Sequence, residues 1–272
     1  ERLVTSEKVV AIMGADCSGV TTAIANNVAV PNGVPMISPS ATSPALTTIE
    51  DNGYFFRTAP SDARQGQLLA EITMARGIKQ VAVTYVNSDY GKGLSDSFGN
   101  AYKALGGEIT ISVPHETGKA DYSAEVASMD SAGGDAMAVF GYVDQGGPGI
   151  MQASLDSGSF DRFILADGMY GDALHTNVDG DLTGSFGTVP GTSSNGADIF
   201  KKIAADAGLN AGGPYTGESY DAAALLVLAM QRARSTNGES IADNLLAVAN
   251  APGAKILPGE LAKGLSILNS GG

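Results

Sequence analysis

The sequence predicts an α/β fold made of two regions, each a mostly parallel sheet flanked by helices. Three observations predict it. Short β-rich apolar runs alternate with amphipathic helical stretches in βαβα order, which favours parallel strands covered by helices on both faces. Several of those runs are apolar throughout, as strands buried on both faces are. The chain has 272 residues, 43% of them hydrophobic and 17% charged. That length exceeds a single domain of ~100–150 residues and supplies enough apolar side chains for a sizeable core.

The elements follow in order. Val9-Val10-Ala11-Ile12-Met13 reads as a strand ending at Gly14, with a helix over residues 18–29 after it. Val34-Pro35-Met36-Ile37 and Tyr54-Phe55-Phe56 are the next apolar runs. Asp62 is a candidate N-cap for a helix carrying Leu68, Leu69 and Ile72, with Gly77 in the position after its end. Val81-Ala82-Val83-Thr84-Tyr85 reads as a strand buried on both faces, and Leu94, Phe98, Ala101 and Leu105 form the inner stripe of the helix that Gly106-Gly107 stops. The cycle repeats with strands at 109–113, 136–140 and 163–165, and with helices over Tyr122/Val126/Met129 and over 144–157. After Val189-Pro190 the pattern changes to helices at about 197–207, 218–234 and 240–249, and no further strand is expected.

Composition excludes several classes. Sixteen Lys and Arg against 29 Asp and Glu give a net charge of −13, a field that repels phosphates and so disfavours nucleic acid and anionic membranes. The 36 glycines are about double the usual ~7% but carry no G-x-y period, so they mark short loops and not collagen. Cys17 is the single cysteine and reads as structural; His115 and His175 read as solvated loop residues. Too few ligands remain for a Cys/His zinc site. The longest apolar run, residues 222–230, is too short to cross a ~30 Å hydrocarbon core.

No catalytic constellation emerges. There is no Walker A sequence, Gly91-Lys92-Gly93 lacks the third glycine of a dinucleotide fingerprint, and Gly191-Thr192-Ser193-Ser194-Asn195 fails as a nucleophile elbow. Asn177-Val178-Asp179-Gly180-Asp181 starts like a calcium loop but has Leu182 and Thr188 where glycine and glutamate are needed. No enzyme, metal or cofactor is therefore expected. In open parallel sheets, ligands sit beyond the carboxyl ends of the strands. Those positions here are small and polar: Asp16-Cys17-Ser18-Gly19, Ser38-Pro39-Ser40-Ala41-Thr42, Ser88-Asp89-Tyr90-Gly91, Tyr142, and Asp167-Gly168. Hydroxyls, two tyrosines and a carboxylate suit a ligand with an anionic and a cationic end. Ser18 serves equally as a candidate helix N-cap, and Tyr170 stands either at this edge or on the surface.

Several segments in order resemble the solute-binding proteins of branched-chain amino-acid ABC transporters, the leucine/isoleucine/valine-binding type. They are Val34-Pro35-Met36-Ile37-Ser38-Pro39-Ser40-Ala41-Thr42-Ser43-Pro44-Ala45-Leu46, then Phe56-Arg57-Thr58-Ala59-Pro60-Ser61-Asp62, Asp89-Tyr90-Gly91-Lys92-Gly93-Leu94, Gly141-Tyr142 and Pro258-Gly259-Glu260-Leu261-Ala262-Lys263-Gly264-Leu265. The resemblance implies a two-lobed type I periplasmic-binding-protein fold, with residues 1–59 plus 191–272 in one lobe and 60–190 in the other. It also implies a strand–helix–strand–helix segment before Glu1 and a further stretch after Gly272, and in some relatives a cysteine like Cys17 pairs with one upstream.

Carried over by position, Ser18 and Thr42 would hydrogen-bond a ligand carboxylate, and the Ser40 carbonyl with the Thr42 hydroxyl would receive an α-ammonium. Ala41 lies in the same binding loop. Tyr90 and Tyr142 would close over the ligand from the other lobe, Asp167 would neutralise the ammonium, and Tyr215 would line the side-chain pocket. Asp16 stands where aliphatic-amino-acid binders tend to place an apolar residue, so it either points away or selects a polar, small or basic ligand. The implied protein is a monomeric, periplasmic or otherwise extracytoplasmic receptor that traps a small zwitterion in an interlobe cleft and passes it to a membrane permease. The alternatives are the same fold binding an amide, urea or small aromatic acid, or serving as a ligand-sensing regulatory domain.

Overall fold

The computed structural model describes residues 1–271 and divides the chain into two compact units. Unit 1 comprises Glu1–Ala41, Thr48–Pro60 and the chain from Gly191 onward; unit 2 comprises Thr42–Thr47 and Ser61–Pro190. In chain order, unit 1 begins with α1 (Arg2–Thr5), β1 (Ile12–Met13), α2 (Ser18–Ile24), β2 (Met36–Ser38) and β3 (Phe55–Arg57). The three strands form a parallel sheet in the order β1-β2-β3. The strand expected from Val9 is shorter than the apolar run. Lys8 turns the chain at φ +56°, and ladder bonds begin only where the Ile12 N–H donates to the Pro35 carbonyl at 2.9 Å. The helix expected over 18–29 is α-helical to Ile24 and continues as a π turn over Ala25–Ala29.

Unit 2 follows with α3 (Asp62–Ala75), β4 (Gln80–Val86), α4 (Asp89–Ala104), β5 (Glu108–His115), α5 (Ser123–Ala132), β6 (Ala136–Phe140), α6 (Gly146–Ser157), β7 (Phe163–Leu165), α7 (Asp172–Asn177) and β8 (Phe186–Gly187). All five strands are parallel, in the order β5-β4-β6-β7-β8. The two-residue period of a strand divides the core. Val81, Val83, Ala136, Ala138 and Phe140 pack with Leu69, Leu94, Phe98 and Tyr102 from α3 and α4. Their alternates Ala82, Met137 and Val139 pack with Val126, Met129, Ile150 and Met151 from α5 and α6. Each fully buried Leu, Phe or Met side chain contributes ~1.5–3 kcal/mol, which is why these runs read as continuously apolar. Gly66 lets α3 and α4 approach closely, since a Cβ there would lie 2.6 Å from the Phe98 nitrogen.

Three expectations are corrected here. Asp62 is not the cap of α3; Ser61 is, with its Oγ accepting the Ala63 N–H at 3.2 Å, while Asp62 is fully buried. Leu105 lies beyond the end of α4 and is 47% exposed, and Tyr102 takes the inner position, stacked on Phe98 with ring centroids 5.2 Å apart. His115 is not a solvated loop residue: β5 runs on past Val113 and ends at this buried histidine, whose Nδ1 is hydrogen-bonded to Thr84 Oγ1 at 2.9 Å. His175 is exposed, on α7.

The chain returns to unit 1 as α8 (Asn195–Asp206), α9 (Thr216–Ala233), α10 (Gly238–Ala249) and α11 (Leu261–Asn269), and no strand follows β8 among the described residues. Ile37 of β2 packs with Ala222, Leu226 and Ala229 of α9 and with Ile241 and Leu245 of α10. These two helices cover the sheet and set the start of α9, with Tyr215 just ahead of it, among the groups described next.

Candidate functional site

In unit 2 the loops at the carboxyl ends of the strands converge. Tyr90 stands in the first turn of α4 after β4, Tyr142 follows β6, and Asp167 follows β7. The Tyr90 hydroxyl donates to Asp167 Oδ1 at 3.0 Å and accepts the Gly168 N–H at 3.2 Å. The Tyr90 and Tyr142 rings stack with centroids 5.1 Å apart. Gly168 has to be glycine, because a Cβ there would fall 2.4 Å from the Gly141 carbonyl and 2.9 Å from the Tyr90 hydroxyl. Tyr90 and Asp167 are buried and Tyr142 half-buried. Burial, reinforced by the charges of Asp167 and Asp62, raises the Tyr90 phenol well above its ordinary range, so it stays protonated and donates.

Sequence reasoning missed Gln65. Its Nε2 donates to Asp167 Oδ1 at 2.9 Å and to the Thr188 carbonyl at 3.2 Å, so a residue on the second turn of α3 holds the carboxylate 102 positions away. Only its place one turn into a helix that starts beside the binding loop could have signalled it. Thr42 is likewise tied into unit 2. Its hydroxyl donates to Asp62 Oδ2 at 2.8 Å, and its carbonyl accepts the Asp62 N–H at 2.9 Å. The Thr42 proton expected to serve a ligand carboxylate is thus given to Asp62, while the oxygen retains acceptor capacity for an N–H donor.

In unit 1, Ser18 is buried and occupies the first position of α2, but it is not the cap; Cys17 is, without a side-chain cap bond. Ser38 organises the loop that follows β2. Its Oγ donates to the Ala15 carbonyl at 2.6 Å and accepts the Ala41 N–H at 3.0 Å. Ala41 is fully buried and its carbonyl accepts Arg57 Nη1 at 3.1 Å, so both of its backbone groups serve the loop. The Ser40 hydroxyl reaches Asp16, 2.6 Å from Oδ1 and 3.1 Å from the carbonyl.

Asp16 and Ser40 line a pocket of about 480 Å³ together with Tyr215, Pro214 and Ser219. Tyr215 precedes α9 at φ +61°, a conformation that costs a non-glycine residue ~1–2 kcal/mol. It is held there by Ser219, whose N–H and hydroxyl reach the Tyr215 carbonyl at 2.9 and 2.8 Å. Tyr170 is 54% exposed and lies on the surface. A larger pocket in unit 1, about 650 Å³ beside Leu225, Leu228, Ile256 and Leu268, contains none of the expected site residues. Among the described residues, no cluster of three or more His, Cys, Asp or Glu is placed to hold a metal, and no helix is long and apolar enough to cross a membrane.

A family model described as "Periplasmic binding protein" matches residues 1–260. The chemotactic signal transduction system substrate-binding protein BasB of Halobacterium salinarum is 26% identical over 99% of this chain and 64% of its own length. A Leu/Ile/Val-binding protein homolog of Brucella melitensis is 31% identical over 85% of this chain and 62% of its own. The chain therefore spans somewhat under two thirds of these relatives. Among solved structures, the leucine-binding protein LivK of Thermotoga maritima superposes with a TM-score of 0.80 at 28% identity, covering 90% of this chain and 70% of that one. The α/β architecture with two parallel sheets is that of type I periplasmic binding proteins. These relatives are named as binding proteins and not as enzymes, in keeping with the missing catalytic constellation. The match takes in all but the last 12 residues, and the chain belongs to the periplasmic binding protein family.

Proposed function

We propose that the protein is an extracytoplasmic receptor that captures an amino acid or similar small zwitterion and delivers it to an ABC importer. One observation carries the reading: in unit 2, Asp167 is buried at the carboxyl edge of the sheet, its Oδ1 fixed by Tyr90 and Gln65 beside the Tyr90–Tyr142 stack. A carboxylate positioned by neutral hydrogen-bond donors suits an ammonium group, because a charge-assisted hydrogen bond is stronger than a neutral one. Within unit 1, Ser18 and Ser40 stand on small polar loops, and Tyr215 lines the pocket with Asp16. The names of the Brucella and Thermotoga relatives support an amino acid as the ligand.

Isothermal titration of the purified protein against the standard amino acids tests this. At least one should bind, and Asp167→Asn should weaken it about 10- to 100-fold, the ~1.5–3 kcal/mol of a hydrogen bond to a charged group. Equal binding by the variant would remove Asp167 from the site. A sensing role is a second reading, supported by the name of the Halobacterium relative. The same capture chemistry serves it, and a receptor that docks on a signalling protein in place of a permease would decide for it.

A further inference from the structure

The lining of the smaller unit 1 pocket bears on the end group of a ligand, an argument that rests on the reading of the protein as an amino-acid receptor. We infer that it takes a cationic side chain, an ammonium or guanidinium, and disfavours an aliphatic one. Asp16 is the single charged residue of the lining, and no Lys or Arg stands beside it there. Its carboxylate is solvent-exposed and pinned by Ser40 through Oδ1, which leaves several acceptor positions on the two oxygens.

The protons around it point the same way. The Ser40 hydroxyl is spent on Asp16, and the Ser219 hydroxyl on the Tyr215 carbonyl. Both lining serines therefore turn lone pairs, not protons, towards a ligand. The lining is rich in acceptors and suits a group with several N–H donors. Tyr215 adds an aromatic ring, on which a planar or compact cation gains further attraction. An aliphatic end group would instead strip water from the carboxylate without replacing its hydrogen bonds. The net charge of −13 favours encounter with a cation as well.

The test is isothermal titration of the protein with L-arginine, L-lysine, L-leucine and L-glutamate, on wild type and Asp16→Asn. The asparagine keeps an acceptor for Ser40 and removes the charge. Arginine or lysine should bind wild type at least about tenfold tighter than leucine, and the variant should lose about fivefold or more for the cation while leucine binds no more weakly. Leucine binding as tightly as arginine, or a variant with the same ratio, overturns the inference while leaving the receptor reading intact. Binding of none of the four, with binding of another amino acid, also overturns it. Failure to bind any amino acid overturns both.

Discussion

Replacing Tyr90 by phenylalanine removes one oxygen from the middle of the unit 2 network and leaves the ring, its stack on Tyr142 and its burial in place. Two interactions go. The first is the O–H donated to Asp167 Oδ1 at 3.0 Å, a hydrogen bond to a buried carboxylate and worth ~1.5–3 kcal/mol. The second is acceptance of the Gly168 N–H at 3.2 Å, which leaves a part-buried donor without that partner at a cost of about 1 kcal/mol. Phenylalanine recovers some of this, having no hydroxyl to desolvate, so Tyr90→Phe should destabilise unit 2 by about 2–4 kcal/mol. Urea denaturation followed by a probe within unit 2 measures it, since a two-unit protein need not unfold in one step. A double-mutant cycle with Asp167→Asn isolates the pair, and the two losses should fall short of additivity by ~1 kcal/mol or more. A loss below ~0.5 kcal/mol, or additivity within ~0.3–0.5 kcal/mol, would show that Tyr90 does not hold Asp167 and refute the argument for a fixed carboxylate.

Gln65→Ala should weaken amino-acid binding about five- to tenfold by releasing Asp167, with a stability loss near ~1 kcal/mol because Gln65 is only part-buried. Unchanged affinity in titration calorimetry would detach Gln65 from the site. Burial lowers the His115 pKa to about 4, against the opposing pull of Glu125 and Glu116. Its neutral form is therefore favoured in the fold: the stabilisation is complete above the unfolded value of ~6.5 and is lost as pH falls from there through about 4, by up to roughly 3 kcal/mol. His115→Gln should flatten that part of the stability–pH curve, and a variant with the wild-type slope would assign the acid sensitivity to other groups.

Strand positions in unit 2 were legible because their neighbours decide little. A strand buried on both faces is apolar wherever no partner meets a polar side chain, so Ala136–Phe140 and Phe163–Leu165 stand in the structure as the apolar runs predicted. The ends of elements were less legible, because a partner sets them. Apolar character at Val9 and Val10 cannot make a strand where β2 offers no facing carbonyl, and polar character at His115 cannot end one while Thr84 supplies a hydrogen bond. The same holds for the site. Asp167, Tyr90 and Tyr142 announce themselves as polar or aromatic residues directly after buried strands. Gln65 and Asp62 do not, because each sits in a helix and acquires its role from a residue distant in sequence, Asp167 and Thr42 respectively.

That difference bears on what each unit can offer a ligand. Unit 2 buries two carboxylates, Asp62 and Asp167, around one phenol, and such groups persist in a core only when donors reach them. Thr42 supplies one to Asp62, and Tyr90 and Gln65 supply two to Asp167. Every one of those donors has its proton directed inward at a carboxylate, and burial holds Tyr90 protonated so that the direction cannot reverse near neutral pH. The direction of the protons thus makes the two carboxylates the acceptors of this network. Neither the kinds of residue present nor their order along the chain could have decided it, since serine, threonine and tyrosine hydroxyls serve equally as donors or acceptors until a partner claims the proton.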